Sequence, residues 1–145
     1  DTYVQKEYVN IGMAVDTEKG LFVPVIKSAD KMGVWEIAKN VLDMADKARN
    51  GALTPNEMQG GCFTVSSLGA IGGNGFTPIV NSPEIGILGV SKAQIKPVWI
   101  DSEFVPRLML PLSLSYDHRL INGGSAGKFL TSIVRLLSDV RTMIL

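Results

Sequence analysis

Apolar and polar positions change rhythm along this chain, and each rhythm marks an element. Val9, Ile11, Met13 and Val15 alternate with polar or small residues. Asp16 to Gly20 (DTEKG) then supplies turn chemistry before Leu21 to Lys27 (LFVPVIK), which is the pattern of a hairpin. Pro24 removes a ladder donor, so the second strand lies at a sheet edge or turns that nitrogen away from its neighbour. From Val34 the period becomes three and four, through Ile37, Ala38, Val41, Leu42, Ala45 and Ala48, and predicts an amphipathic helix. Lys47 and Arg49 suit the C-terminal end of its dipole, and Gly51 stands where a left-handed cap is needed.

Thr54-Pro55-Asn56-Glu57 is a capping box with proline at the first helical position, stopped soon after by Gly60-Gly61, so a single helical turn is expected. Cys62 to Ser67 (CFTVSS) is rich in β-formers, and the glycine-dense loop through Gly69, Gly72, Gly73 and Gly75 reads as a tight bend. Three further strands are expected at Ile85–Ser91, Ile95–Asp101 and Phe104–Tyr116, as a meander. Ala126, Phe129, Leu130, Ile133, Leu136, Leu137 and Val140 form the stripe of a second long helix starting near Gly124. The fold class is therefore mixed α/β (α+β), with two helices available to cover one face of a sheet.

Composition narrows the function classes. A chain of 145 residues fits one compact domain, and 46% hydrophobic against 19% charged residues excludes a disordered linker. Fourteen basic and fourteen acidic residues cancel, leaving no field to hold a nucleic acid backbone. A single cysteine, Cys62, and a single histidine, His118, leave no internal disulfide and no metal-ligand cluster, which points to a reducing, cytoplasmic setting and no metal. No apolar run approaches the roughly 18 residues of a membrane span. Because Asp1 comes first and strand-like alternation follows within ten residues, the chain is expected to be a piece of a longer polypeptide. Zero net charge with a mean hydropathy of +0.20 suggests apolar surface covered by another subunit.

The chemistry concentrates in Leu108 to Gly124, LMLPLSLSYDHRLINGG, where a leucine-alternating strand ends in a polar cluster and a helix follows. Strand ends that open into loops are where fixed side chains meet ligands. His118 sits there between Asp117 and Arg119, with Asn122-Gly123 four residues on. From residue types alone, a lone histidine is open to a structural or a catalytic reading. Gly69 to Gly75 is no phosphate loop, since no Gly-Lys-Ser/Thr follows. Cys62 has no base beside it and reads as a small strand residue, while Lys31 in Ala29-Asp30-Lys31-Met32 reads as solvent-exposed.

The run Asp117-His118-Arg119-Leu120-Ile121-Asn122-Gly123 resembles the signature of the dihydrolipoyl acyltransferase catalytic domain, the core component of 2-oxo acid dehydrogenase complexes, distantly related to chloramphenicol acetyltransferase. The resemblance extends through VNIGMAVDTEKGLFVPVIK, MQGGCFTVSSLGAIGG and FTPIVNSPEIGILGVSK and covers essentially the whole chain, as the later and larger part of that domain (residues 1–145). Asn122, where aspartate is more usual, and the PVW and RLMLPLSLSYDHR segments give it the look of the bacterial pyruvate dehydrogenase subgroup. The resemblance implies a chloramphenicol acetyltransferase-like two-layer sandwich, a homotrimer and a larger core. It further implies acetyl transfer from a lipoyl group on a separate domain to coenzyme A, with decarboxylase and dihydrolipoyl dehydrogenase components as partners.

The residues support that chemistry. Exchanging one thioester for another needs no redox centre or metal, only a base and a donor for the oxyanion. A thiol with a pKa near 8.5 is only about 3% ionised at pH 7, so an imidazole is a suitable base for it, and His118 is the one candidate. The resemblance assigns the oxyanion donor to Ser66, the first serine of FTVSSLG, which in a strand shares a face with Cys62 and Thr64 while Phe63, Val65 and Ser67 face the other way. Asn122 can orient the imidazole or the backbone around it but cannot supply a carboxylate's charge. Asp117, Arg119 and Gly123 support the motif, either by holding the loop or by a part in catalysis. The resemblance places the histidine of one subunit opposite the serine of its neighbour, and reads Met143-Ile144-Leu145 as an anchor between trimers. Two rival readings are an assembly scaffold without turnover and a relative that uses another acyl group, succinyl or branched-chain, or another acceptor such as an antibiotic hydroxyl.

Overall fold

The computed structural model describes residues 2–139 and 141; Val140 and the Met143-Ile144-Leu145 tail lie outside the described residues. Nine strands are described in chain order: β1 (Ile11–Met13), β2 (Val15–Thr17), β3 (Gly20–Phe22), β4 (Val25–Ile26), β5 (Phe63–Ser67), β6 (Gly86–Val90), β7 (Gln94–Ile100), β8 (Glu103–Met109) and β9 (Leu112–Tyr116). The two long helices are α1 (Val34–Arg49) and α2 (Gly123–Ser138). A five-stranded mixed sheet runs β4-β1-β5-β6-β9, with β5 parallel to both β1 and β6, and β9 antiparallel to β6. The mixed α/β class read from the sequence is the observed one.

The expected first hairpin forms as two pairs. The chain breaks at Ala14, so β2 pairs with β3 while β1 pairs with β4 at the sheet edge, where Pro24 is tolerated. Helix α1 ends as expected, with Gly51 at φ +66°, a conformation that a residue with a Cβ adopts only under strain. The Thr54 capping box is closed by Glu57, whose Oε2 accepts from Thr54 N and Oγ1 at 2.8 and 2.9 Å.

The meander needs correction. The run 104–116 is two strands, broken at Leu110-Pro111 because Pro111 has no N–H for the ladder. Ser91 N donates to Pro111 O at 3.0 Å, which returns the chain to the main sheet beside β6. The segment between, β7 and β8, projects as a separate two-stranded hairpin paired along its length.

Both helices cover the same face of the sheet. Register pairs Ile11 with Phe63 and Met13 with Val65, so these four side chains point one way. Phe63 meets Phe129 of α2 edge-on with centroids 5.7 Å apart, and Met13 packs on the cluster of Val15, Ala45 and Ala48 beneath α1. The opposite face carries Thr64, Ser66, Ile87, Ser113 and Ser115. On this face the Phe76 ring, just after the glycine loop, lies against Gly89, and Glu84 is bonded to Thr64.

Candidate active site

The last ladder contact of β9 is Asp117 N donating to Ile85 O at 2.9 Å. Asp117 then shapes the residues that follow. Its carboxylate accepts from Arg119 N at 3.0 Å, Arg119 Nε at 2.9 Å and Arg119 Nη2 at 2.6 Å. Its carbonyl accepts from Leu120 N and Ile121 N at 3.1 and 3.0 Å. A side chain that bonds the backbone two residues on is the usual way a short polar residue sets a turn. His118, between the two ends of this clamp, is held outward and exposed. Its ring lies beside that of Tyr116, with centroids 5.6 Å apart and planes 36° apart, and among the described residues its nitrogens make no hydrogen bond.

The Arg119 guanidinium beside Asp117, aided by the Arg119 N–H, lowers the Asp117 carboxyl to about 2. A depressed carboxyl pKa means that the clamp is complete above the ordinary carboxylate range and is lost as pH falls toward 2. In an NMR titration of the side-chain carboxyl carbon, Asp117 should titrate near 2 in the wild type, and in Arg119→Leu its midpoint should move up toward the ordinary value of about 3.9. An unmoved midpoint would mean that Arg119 is not its partner.

Asn122 is the N-cap of α2. Its Oδ1 accepts from Ser125 N at 2.8 Å and its carbonyl from Ala126 N at 3.1 Å. The side chain is thus bonded to the helix, not to His118, and it fixes the point where the turn becomes α2. Gly123 opens that helix, and a Cβ there would stand 3.6 Å from the Tyr116 hydroxyl, an ordinary contact.

Ser66 lies elsewhere in the same chain. Register sets Ser66 opposite Gly89 and Gly89 opposite Ser113, whereas Asp117 is four residues further along β9. Four steps of about 3.3 Å along the strands and two strand spacings of about 4.8 Å put that level about 16 Å from Ser66. His118 is one residue beyond, on the side of Tyr116, which shares the helix-covered face with Leu114 and Leu112; Ser66 occupies the opposite face. The structure therefore brings together Asp117, His118, Arg119, Asn122 and Gly123, and leaves Ser66 apart from them.

Three contributors were not picked out from the sequence. Tyr116 flanks the imidazole. Thr64, fully enclosed, donates through Oγ1 to Glu84 Oε2 at 2.6 Å and so fixes β5 two residues before Ser66. Ser113 sits in register with Ser66 across Gly89. The alternation of LSLSY could have placed Ser113 and Ser115 on one face, but which strand lay between them and Ser66 depended on the sheet order. Among the described residues no group of three or more His, Cys, Asp or Glu could hold a metal ion, and no helix is long and apolar enough to cross a membrane.

A mixed sheet covered by helices, with a clamped histidine turn leading into a capped helix, is the architecture of this chain, which belongs to the 2-oxoacid dehydrogenases acyltransferase (catalytic domain) family, whose profile matches residues 1–145. Its relatives include the dihydrolipoyllysine-residue acetyltransferase component of the pyruvate dehydrogenase complex of Pseudomonas aeruginosa, 58% identical over 142 residues, which are 98% of this chain and 26% of the relative. Among solved structures, the dihydrolipoamide acetyltransferase of Azotobacter vinelandii, investigated for the role of a serine, a histidine and an asparagine in its catalytic mechanism, superposes with a TM-score of 0.94 at 54% identity. The cubic core of the pyruvate dehydrogenase multienzyme complex does so with a TM-score of 0.94 at 55% identity. This chain covers 58% of each of those two structures' chains, with 98% of its own length aligned. It spans about a quarter of the curated relative's length. The fold is the two-layer sandwich of these cores.

Proposed function

We propose that this chain transfers an acetyl group from S-acetyldihydrolipoyl-lysine to coenzyme A, as the acetyltransferase core of a pyruvate dehydrogenase complex. The observation that carries the reading is the Asp117–Arg119 clamp, which presents an exposed imidazole at a fixed strand end. Further support comes from spacing: Ser66, His118 and Asn122 show the same separations, 52 and four residues, as the serine, histidine and asparagine investigated in the Azotobacter vinelandii enzyme.

In this mechanism His118 takes the proton of the coenzyme A thiol as its sulfur attacks the thioester carbonyl. The Ser66 hydroxyl donates to the oxyanion of the tetrahedral intermediate. Collapse breaks the bond to the dihydrolipoyl sulfur, which receives the proton held on His118. Asp117 is committed to Arg119, and Asn122 acts as a positioning residue by joining the turn to α2.

Within one chain His118 and Ser66 are too far apart to share a substrate, so the working site lies between copies, with His118 from one and Ser66 from its neighbour in a homotrimer. An unpartnered surface supports this assembly. On the β7–β8 hairpin, Ile95 pairs with Leu108, Pro97 with Pro106 and Trp99 with Phe104, which makes one face wholly apolar. Trp99 is 61% exposed and Phe104 69%, a strip that an isolated subunit does not ordinarily leave in water. Trp99→Glu should shift the sedimenting mass toward that of the monomer; unchanged mass would remove the hairpin from the interface.

In this reading residues 1–145 are the later and larger part of the catalytic domain. The trimers build a larger core that works in the cytoplasm with decarboxylase and dihydrolipoyl dehydrogenase components. In this reading coenzyme A and the lipoyl arm reach the site between copies from opposite sides.

The test is coenzyme A acetylation by S-acetyldihydrolipoamide, with oligomeric mass measured on the same sample. An assembled but silent protein would be a scaffold, and preference for succinyl or branched acyl groups would move the reading to another complex. His118→Ala and Ser66→Ala chains, each reduced to about a hundredth of wild-type activity or less alone, should regain about a quarter of it when dissociated and reassembled together in equal amounts, because that share of subunit boundaries pairs an intact histidine with an intact serine. Hybrids that regain nothing would place both residues' partners within one chain.

A further inference from the structure

Beside Ser66 stands a side chain that neither the motif nor the mechanism uses. Ser66, Gly89 and Ser113 form one row across β5, β6 and β9, all on the face away from the helices. The middle position of the row has no side chain, and the ring of Phe76 fills the notch. A Cβ built on Gly89 would lie 3.0 Å from Phe76 Cζ and 3.2 Å from Cε1, and 2.5 Å from Ser113 Oγ. Ser113 Oγ donates to Phe76 O at 2.6 Å, which ties the backbone of that residue to β9. The loop leading to it starts with Leu68 N donating to Val90 O at 2.9 Å and passes through Gly72 and Gly73 at φ +108° and +95°. The loop is thus tied to the sheet where it delivers an aromatic ring.

We propose that Phe76 is the specificity-determining wall of the acyl site, limiting the acyl chain whose carbonyl oxygen is held by Ser66. The inference rests on the oxyanion role given to Ser66 above. Gly89 is one strand spacing, about 4.8 Å, from Ser66, so the ring occupies the space into which a longer acyl chain would extend across β6. A methyl group needs none of that space; additional methylenes meet a ring whose backbone is tied to β9 through Ser113. Rejection by an apolar wall is worth about 10- to 200-fold per methylene.

The experiment compares butanoyl with acetyl dihydrolipoamide on the assembled protein. In the wild type kcat/KM favours acetyl, and Phe76→Ala raises the butanoyl-to-acetyl ratio by about tenfold or more. Ser113→Ala, which frees the loop but keeps the ring, shifts the ratio in the same direction by less. Phe76→Leu retains most of the preference. Thermal melting shows that the variants are folded, and Phe76→Leu and Phe76→Val make the comparison in smaller steps should the alanine variant melt early. The dead-end thioethers S-ethyl and S-butyl dihydrolipoamide, titrated calorimetrically, report the same size discrimination without turnover. An unchanged ratio in folded Phe76→Ala, with acetyl transfer intact, overturns the wall and leaves the transfer reading standing. No turnover in the wild type, with thioether selectivity that still relaxes in Phe76→Ala, overturns the transfer reading and leaves the wall.

Discussion

His118→Ala lowers acetyl transfer to coenzyme A by about 10²- to 10⁴-fold, the range expected when a positioned general base is removed. Folding should survive: the ring is exposed, its one aromatic contact is Tyr116, and the turn beneath it is closed by Asp117 and Arg119. The measurement is steady-state acetylation of coenzyme A beside a thermal melt. A thermal midpoint close to that of the wild type with lost turnover supports the base. Turnover close to wild type in a folded variant removes His118 from the chemistry. Raising the pH should recover part of the lost rate, because more of the coenzyme A thiol then ionises without help.

Ser66→Ala should lower kcat by about 10²- to 10³-fold, the effect of deleting one oxyanion donor, equivalent to about 2.7 to 4 kcal/mol of transition-state stabilisation. KM for coenzyme A should change far less, since the hydroxyl strengthens its contact only when the carbonyl oxygen gains charge. Ser66→Thr keeps a hydroxyl and should recover part of the rate if its added methyl is tolerated. A variant that raises KM at unchanged kcat would instead make Ser66 a binding contact.

Much of this site could be read from the sequence because its determinants are local. The turn around His118 is set by bonds between residues two or three apart: Asp117 reaches Arg119, and Asn122 reaches Ser125. Helices α1 and α2 followed from their apolar stripes, and the alternation of CFTVSS placed Ser66 with Thr64 on the face opposite Phe63. What was not legible depends on contacts far apart in sequence. Periodicity gives a strand but not its neighbour, so the departure of β7 and β8 from the sheet was missed. The bond from Ser91 N to Pro111 O and the pairing of Val90 with Leu112 show where the chain rejoins it. The Thr64–Glu84 and Ser113–Phe76 bonds span 20 and 37 residues. Nothing in local spacing announces such partners. The separation of His118 from Ser66 likewise depends on sheet order, and the intersubunit site proposed above, expected from the family resemblance, rests on that separation.

In the proposed assembly, the exposed strip of Ile95, Trp99, Phe104 and Leu108 sets a race for each newly made subunit. Until it meets its own kind, the hairpin offers sticky side chains and unpaired edges to any unfolded neighbour, the usual route into aggregates. Orderly association competes with that loss and accelerates with concentration, yet so does clumping. The yield of usable particles should therefore peak at an intermediate rate of synthesis, and a chaperone that shields the strip should broaden that peak.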